Sequence, residues 1–271
     1  MNLSYSHLPA WLADNRLFRK LFLLRKMYLT RRSSSHYGQF GEDISIARYL
    51  PKRYKGFFVD VGCFHPVKYN NTYRLYRKGW RGVNIDLDPV KIEGFEMVRP
   101  GDVNIACGVS DEPGETTVWR SGFYSLTSTL DEAFARSWKG DFQTYTIRTE
   151  TLSDLLDGTV FRDRPIDLLT VDVEGHDLAV LRSLDFERYR PGLVAVELHQ
   201  PTLAAVCGDP LFRFLHERGY DIVNWTGLTI LFKRDEPPAT PTSAALPTAR
   251  SVPEGRTPTP GGSGPGSGAT P

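Results

Sequence analysis

Apolar and polar positions follow two periods along this chain. Short, nearly continuous apolar runs occur at Gly56 to Val61, before Asp86, at Val103 to Cys107, at Ile166 to Val171 and at Leu193 to Leu198. Runs of that length and bulk read as strands buried on both faces of a parallel sheet. Helical spacing fills the intervals, near Asn71 to Lys78, from Pro89 to about Pro100-Gly101, from Asp177 to Leu184 and from Pro210 to Arg218. A further short helix carries Ile44, Ala47 and Leu50 and is stopped by Pro51. Thr116 to Trp119 reads as an outlying strand, Leu130 to Trp138 as a short helical run, Gln143 to Thr149 as a strand and Leu152 to Leu156 as a helix. Tyr220 to Asn224 and Thr229 to Phe232 are joined through Trp225-Thr226-Gly227, short enough for an antiparallel hairpin. The order predicts an α/β fold with a seven-stranded, mostly parallel sheet, helices on both faces and a C-terminal hairpin.

The two ends differ from this middle. Positions 236–271 hold nine of the nineteen prolines and no aromatic residue, so the segment reads as a disordered tail unable to offset its ordering entropy. Positions 1–36 read as a basic leader. Within it Leu17, Leu21, Leu24 and Tyr28 share one helical face, with Arg16, Arg19, Lys20 and Lys26 mostly opposite. The expectation is a helix packed on the domain flank with a solvated basic face; peripheral contact with an anionic membrane is the alternative. Positions 37–235 remain as one α/β domain. The formal net charge of +1 gives no general bias toward nucleic acid. Three scattered cysteines without a C-x-x-C pair point away from a disulfide framework or zinc site and toward a reducing, cytoplasmic setting.

The chemistry starts at Asp60-Val61-Gly62 and at Asp86. A strand ending in a glycine turn, followed roughly 20 residues later by an acid closing the next strand, is the opening of a nucleoside site. Asp86 is placed to accept from ribose hydroxyls, and the glycine to let backbone approach a ligand. A dinucleotide needs bare N–H groups for its pyrophosphate. This turn instead runs Gly62-Cys63-Phe64-His65-Pro66, and no P-loop occurs. A nucleoside without phosphate fits better, S-adenosyl-L-methionine being the common one.

Several segments together resemble the FkbM family of S-adenosylmethionine-dependent methyltransferases. They are Gln39-Phe40-Gly41-Glu42-Asp43, Phe58-Val59-Asp60-Val61-Gly62 with Phe64-His65-Pro66, Asn71-Thr72, Gly79-Trp80-Arg81-Gly82, Asp86 with Pro89, Ser128-Thr129-Leu130, and Ile166 through Val171-Asp172-Val173-Glu174-Gly175. They cover roughly Gln39 to Glu197. The resemblance implies a class I methyltransferase (Rossmann-like) fold and O-methylation of a hydroxyl on a sugar, glycan or secondary-metabolite acceptor. Two departures stand out: Cys63 where the family more often has alanine, and Leu87-Asp88 in place of Pro-Asn.

Ligands of open α/β sheets bind beyond the carboxyl ends of the strands, so residues there are the candidates. Asp172, Glu174 and His176 follow the fourth strand, and Glu197 and His199 end the fifth. Asp172, Glu174, His176 and His65 are the catalytic candidates. Capping, an arginine partner or an ordinary turn are the competing readings. A divalent ion on these carboxylates and histidines is conceivable, but none is expected. Cofactor candidates are Gln39, Glu42, Asp60, Gly62, Asn71, Thr72, Asp86, Cys107 and Asp172. N-capping competes at Glu42, Asn71 and Thr72, and a small core residue at Cys107. Tyr124, Ser125, Ser128 and His199 are candidates for the acceptor wall. Two other functions stay open: a methyltransferase-like protein that binds without catalysis, and a nicotinamide-dependent oxidoreductase.

Overall fold

The computed structural model describes residues 15–28, 36–52, 54–120, 128–130, 132–137 and 143–234. The tail beyond 234 and the candidates Tyr124 and Ser125 lie outside the described residues.

Seven strands form the main sheet: β1 (Phe57–Val61), β2 (Arg81–Asp86), β3 (Val103–Ala106), β8 (Leu168–Val171), β9 (Leu193–Glu197), β10 (Tyr220–Thr226) and β11 (Thr229–Arg234). Their order is β10-β11-β9-β8-β1-β2-β3. Pairing is parallel from β3 to β9, and β11 runs antiparallel to both β9 and β10. Counting only these seven, the order is 3-2-1-4-5-7-6. The strand order reverses between β1 and β8, which is where a ligand crevice opens in such sheets.

Alternation along the strands divides the core in two. Phe57, Val59, Val61, Leu169, Val171, Val194 and Val196 enter one core, with α6 (Leu152–Asp157), α7 (Asp177–Arg182) and α10 (Pro210–His216) packed on it. Phe58, Leu168, Leu193, Ala195 and Leu231 point the other way, to Ile46 of α2 (Glu42–Tyr49), Leu75 of α3 (Tyr73–Arg77) and Trp80. Burial on both faces explains why these strands read as apolar runs. Gly62 sits at φ +79°, and a Cβ there would lie 1.7 Å from the carbonyl oxygen of Asp172. The glycine serves the close approach of β1 to the end of β8, and it also lines the cleft described below.

Sequence reasoning did not foresee a second sheet. It contains β4 (Gly108–Val109), β5 (Gly114–Arg120), β6 (Ser128–Thr129) and β7 (Gln143–Glu150), in the order β4-β7-β5-β6. The short helices α5 (Glu132–Ser137), α8 (Phe186–Tyr189) and α9 (Leu203–Gly208) complete the described elements.

The leader helix departs from expectation. α1 (Arg16–Tyr28) does pack on the flank, against α4 (Pro89–Val98), but through Phe18, Phe22, Leu23 and Met27. Arg19 pairs with Glu93 at 2.8 Å. The predicted packing face of Leu17, Leu21, Leu24 and Tyr28 is the exposed one.

Candidate functional site

A cleft partly open to solvent lies over the carboxyl ends of β1, β2 and β8. Its lining brings together eight of the sequence candidates: Gln39, Gly62, Asp86, Cys107, Ser128, Asp172, Glu174 and His176. Val61, Ile85, Leu87, Val109 and Leu130 add apolar wall between them. Ile85 and Val171 both pair with Val61, so Asp86 and Asp172, each one residue further on, stand two strand spacings apart, about 10 Å.

On the β2 side, the Asp86 carboxylate accepts from the backbone N–H of Phe64 at 3.1 Å and of Asp88 at 2.9 Å. It also pairs with Lys91 Nζ at 3.3 Å. Burial raises its pKa, opposed by the Lys91 charge. Lys91 lies in the first turn of α4, where the helix dipole disfavours a cation. A basic residue at that position is a sequence signal for a nearby acid, and it went unread. Asp88, one of the two family departures, caps α4 by accepting from Val90 N at 2.9 Å. Its other oxygen is 3.5 Å from Arg120 of β5.

The β8 side is acidic. Glu174 has φ +56° and is followed by Gly175 at φ +98°, a tight turn that places the side chain on the cleft. Among the described residues, five non-glycine residues have positive φ, and three of them, Phe64, Tyr69 and Glu174, line this cleft. Such conformations concentrate at functional sites. Asp172 and Glu197 act on each other carboxyl to carboxyl. Asp172 is open to water through the cleft yet enclosed by protein elsewhere, and its pKa is raised by that enclosure and by the charges of Glu197 and Asp60. Burial and neighbouring carboxylates push Glu174 and Glu197 up to about 7. Asp177, buried at the start of α7 and accepting from Val173 N and Gly175 N, is also pushed to about 7 by burial and the Asp172 charge. His176 Nε2 lies 3.1 Å from Ser110 Oγ.

These shifts fix a sign. Raised acids bind protons in the folded chain that the unfolded chain has already released, between about pH 4 and pH 7. Stability from these groups is therefore highest at the acid end of that window and is lost as pH rises through it. Thermal unfolding of the ligand-free protein is expected to show Tm falling steadily from pH 5 to pH 7.5. A flat or rising Tm across that interval would contradict the protonated cluster.

The remaining candidates have other duties. His65 is not a cleft residue: it is buried, its Nδ1 accepts from Val67 N and Lys68 N at 3.0 Å each, and burial lowers its pKa to about 3. Asp60 likewise faces away from the cleft, accepting from Asn70 Nδ2 at 3.1 Å and Thr72 Oγ1 at 2.7 Å. Thr72 precedes α3 and is fully buried, and Asn71 donates to Thr170 Oγ1 at 3.4 Å. Glu42 accepts the Phe40 N–H, holding the turn into α2. His199 stands outside the cleft lining, 3.3 Å from Glu197. Glu174, Glu197 and His199 offer ligand atoms within 4.8 Å of one another, a spacing a metal ion could span.

A seven-stranded sheet in this order, with acids at the ends of its second and fourth parallel strands, defines a methyltransferase-type nucleoside fold. The chain belongs to the FkbM methyltransferase family: the model of the Methyltransferase FkbM domain matches residues 60–222. The chain is also similar to a TehB-like SAM-dependent methyltransferase from Corynebacterium glutamicum, at 12% identity over 81% of this chain and 100% of that one, with a TM-score of 0.42. A second similar structure is the methyltransferase FkbM from Methylobacillus flagellatus, at 14% identity over 82% of this chain and 56% of that one, also with a TM-score of 0.42. The chain thus spans about half the length of the Methylobacillus protein. No curated protein matches it.

Proposed function

We propose that this methyltransferase uses S-adenosyl-L-methionine and transfers its methyl group to a hydroxyl oxygen of a sugar, glycan or secondary-metabolite acceptor. One observation carries the reading: a single cleft has a ribose-type acid, Asp86, on one wall and a protonatable acid cluster on the other. The residues fit the group. A carboxylate has about four lone-pair sites. Asp86 fills three, with Phe64 N, Asp88 N and Lys91, and so has room for a ribose hydroxyl. Leu87, Cys107, Gly108 and Val109 offer an apolar slot for a base. Ser128 Oγ is buried without a hydrogen-bond partner among the described residues, ready for a ligand.

When bound, the cofactor supplies an activated methyl group on a cationic sulfur. The chain's task is then alignment and proton removal. Asp172 and Glu174 line the same cleft and would offer negative charge to that cation when ionised. A carboxylate with pKa near 7 is suited to take a hydroxyl proton at neutral pH. His176 and Ser128 flank the same space and would orient the acceptor.

Titration calorimetry with S-adenosylmethionine, its demethylated product and NAD tests this. The first two are expected to bind. Asp86→Asn is expected to weaken them roughly 10- to 100-fold, the worth of one charge-assisted hydrogen bond. Binding of NAD alone, or undiminished affinity in the variant, would overturn the assignment.

A further inference from the structure

We propose that α1 is a membrane-surface anchor whose outer face docks on anionic lipid. The helix has two apolar faces and uses only one of them inside the protein. Phe22, Leu23 and Met27 are buried against α4. The outer face carries Leu17, Leu21, Leu24 and Tyr28, which are 68%, 58%, 44% and 60% exposed. Their spacing of four, three and four residues keeps them within a narrow arc, and they form a ridge about 16 Å long. Single exposed leucines need no explanation, but four large side chains in one row do.

Charge identifies the occupant. Exposed Arg16 and Lys20 border the ridge on one side and exposed Arg25 on the other. The helix contains no acidic residue. Arg19, paired with Glu93, faces the protein. A second copy packed ridge to ridge would bring these cations together with no acid on either helix to receive them. Anionic headgroups would receive them, while the leucines enter the headgroup–acyl boundary and the tyrosine sits at its level. No described helix is long and apolar enough to cross a membrane.

The test is co-sedimentation of the full chain with phosphatidylcholine vesicles, with and without phosphatidylserine. Binding is expected only with phosphatidylserine, weakening as salt rises. Leu21→Glu with Leu24→Glu is expected to abolish it. Arg16→Gln with Lys20→Gln is expected to weaken it by about 25-fold, at about fivefold per cation. All four positions are exposed, so the Tm of both double variants should match the parent. Failure to bind phosphatidylserine vesicles, or equal binding to neutral ones, overturns the proposal. So does a dimer in sedimentation velocity that Leu21→Glu dissolves, which would give the ridge to a second copy.

Discussion

Arg99→Ala is expected to cost about 3–5 kcal/mol of folding stability, the loss seen when one partner of a buried ionic network is removed. For a domain of this size that lowers Tm by roughly 6–20 °C. Arg99 is fully buried at the end of α4. Its Nε donates to the Pro66 carbonyl at 2.9 Å, and its other nitrogens donate to Thr72, Asn84 and Asn70. The guanidinium lies over the rings of Tyr73, Tyr76 and Phe95. It is also the cation facing two buried acids. Asp60 is raised by burial against the pull of Arg99, and Asp102 is pushed up to about 6 by burial against the same pull. Without the guanidinium both acids lose their counter-charge, and the loop from Cys63 to Thr72 loses its tie. Arg99→Lys is expected to rescue little, because one ammonium cannot reach acceptors spread around a planar fork. Differential scanning calorimetry of the two variants decides it. A Tm drop under about 2 °C in Arg99→Ala, or full rescue by lysine, would mean the network is not structural.

That network also shows where the sequence stopped being legible. Asp60 pairs in register with Asn84 on one side and Thr170 on the other, and Asn84 pairs with Asn104. Four polar residues thus form a row across four adjacent strands. Along the sequence each is a single polar position within an apolar run, and Asp60 reads as a cofactor candidate. The row exists only once the strands are in register, which periodicity along one strand cannot supply. The main sheet was readable because burial on both faces makes its strands continuously apolar. The two long strands of the second sheet, β5 and β7, were readable as strands, but not their pairing with each other, because they are largely exposed and nothing along either one names its partner. At the cleft, motif spacing located Asp86, Asp172 and Glu174, since strand ends follow from strand positions. It misplaced His65, whose direction depends on the loop folding back on its own N–H groups. The α1 face was misassigned for a related reason. The helix is apolar on two sides, and periodicity does not say which one meets the protein.

Asp172→Asn is expected to separate stability from function. The substitution keeps shape and removes one ionisable acid from a site where Glu197 and Asp60 both act on it. Glu174 and Asp177 in turn are both raised by the charge of Asp172. Like charges held together by the fold oppose folding, so relieving one should leave Tm unchanged or raise it, most visibly above pH 7 where the neighbours ionise. Turnover should move the other way. If Asp172 supplies the charge that positions the cationic donor or accepts the acceptor's proton, kcat falls by about 10²- to 10⁴-fold. Removing a functional acid that the fold holds under strain trades activity for stability in this way. Both quantities are measurable on one preparation, Tm by scanning calorimetry and turnover by transfer of labelled methyl to an acceptor found by screening. Unchanged turnover would remove Asp172 from the chemistry. A lowered Tm would mean that its charge is paired in the folded protein, and that the acid cluster is held by a cation instead of by shared protons.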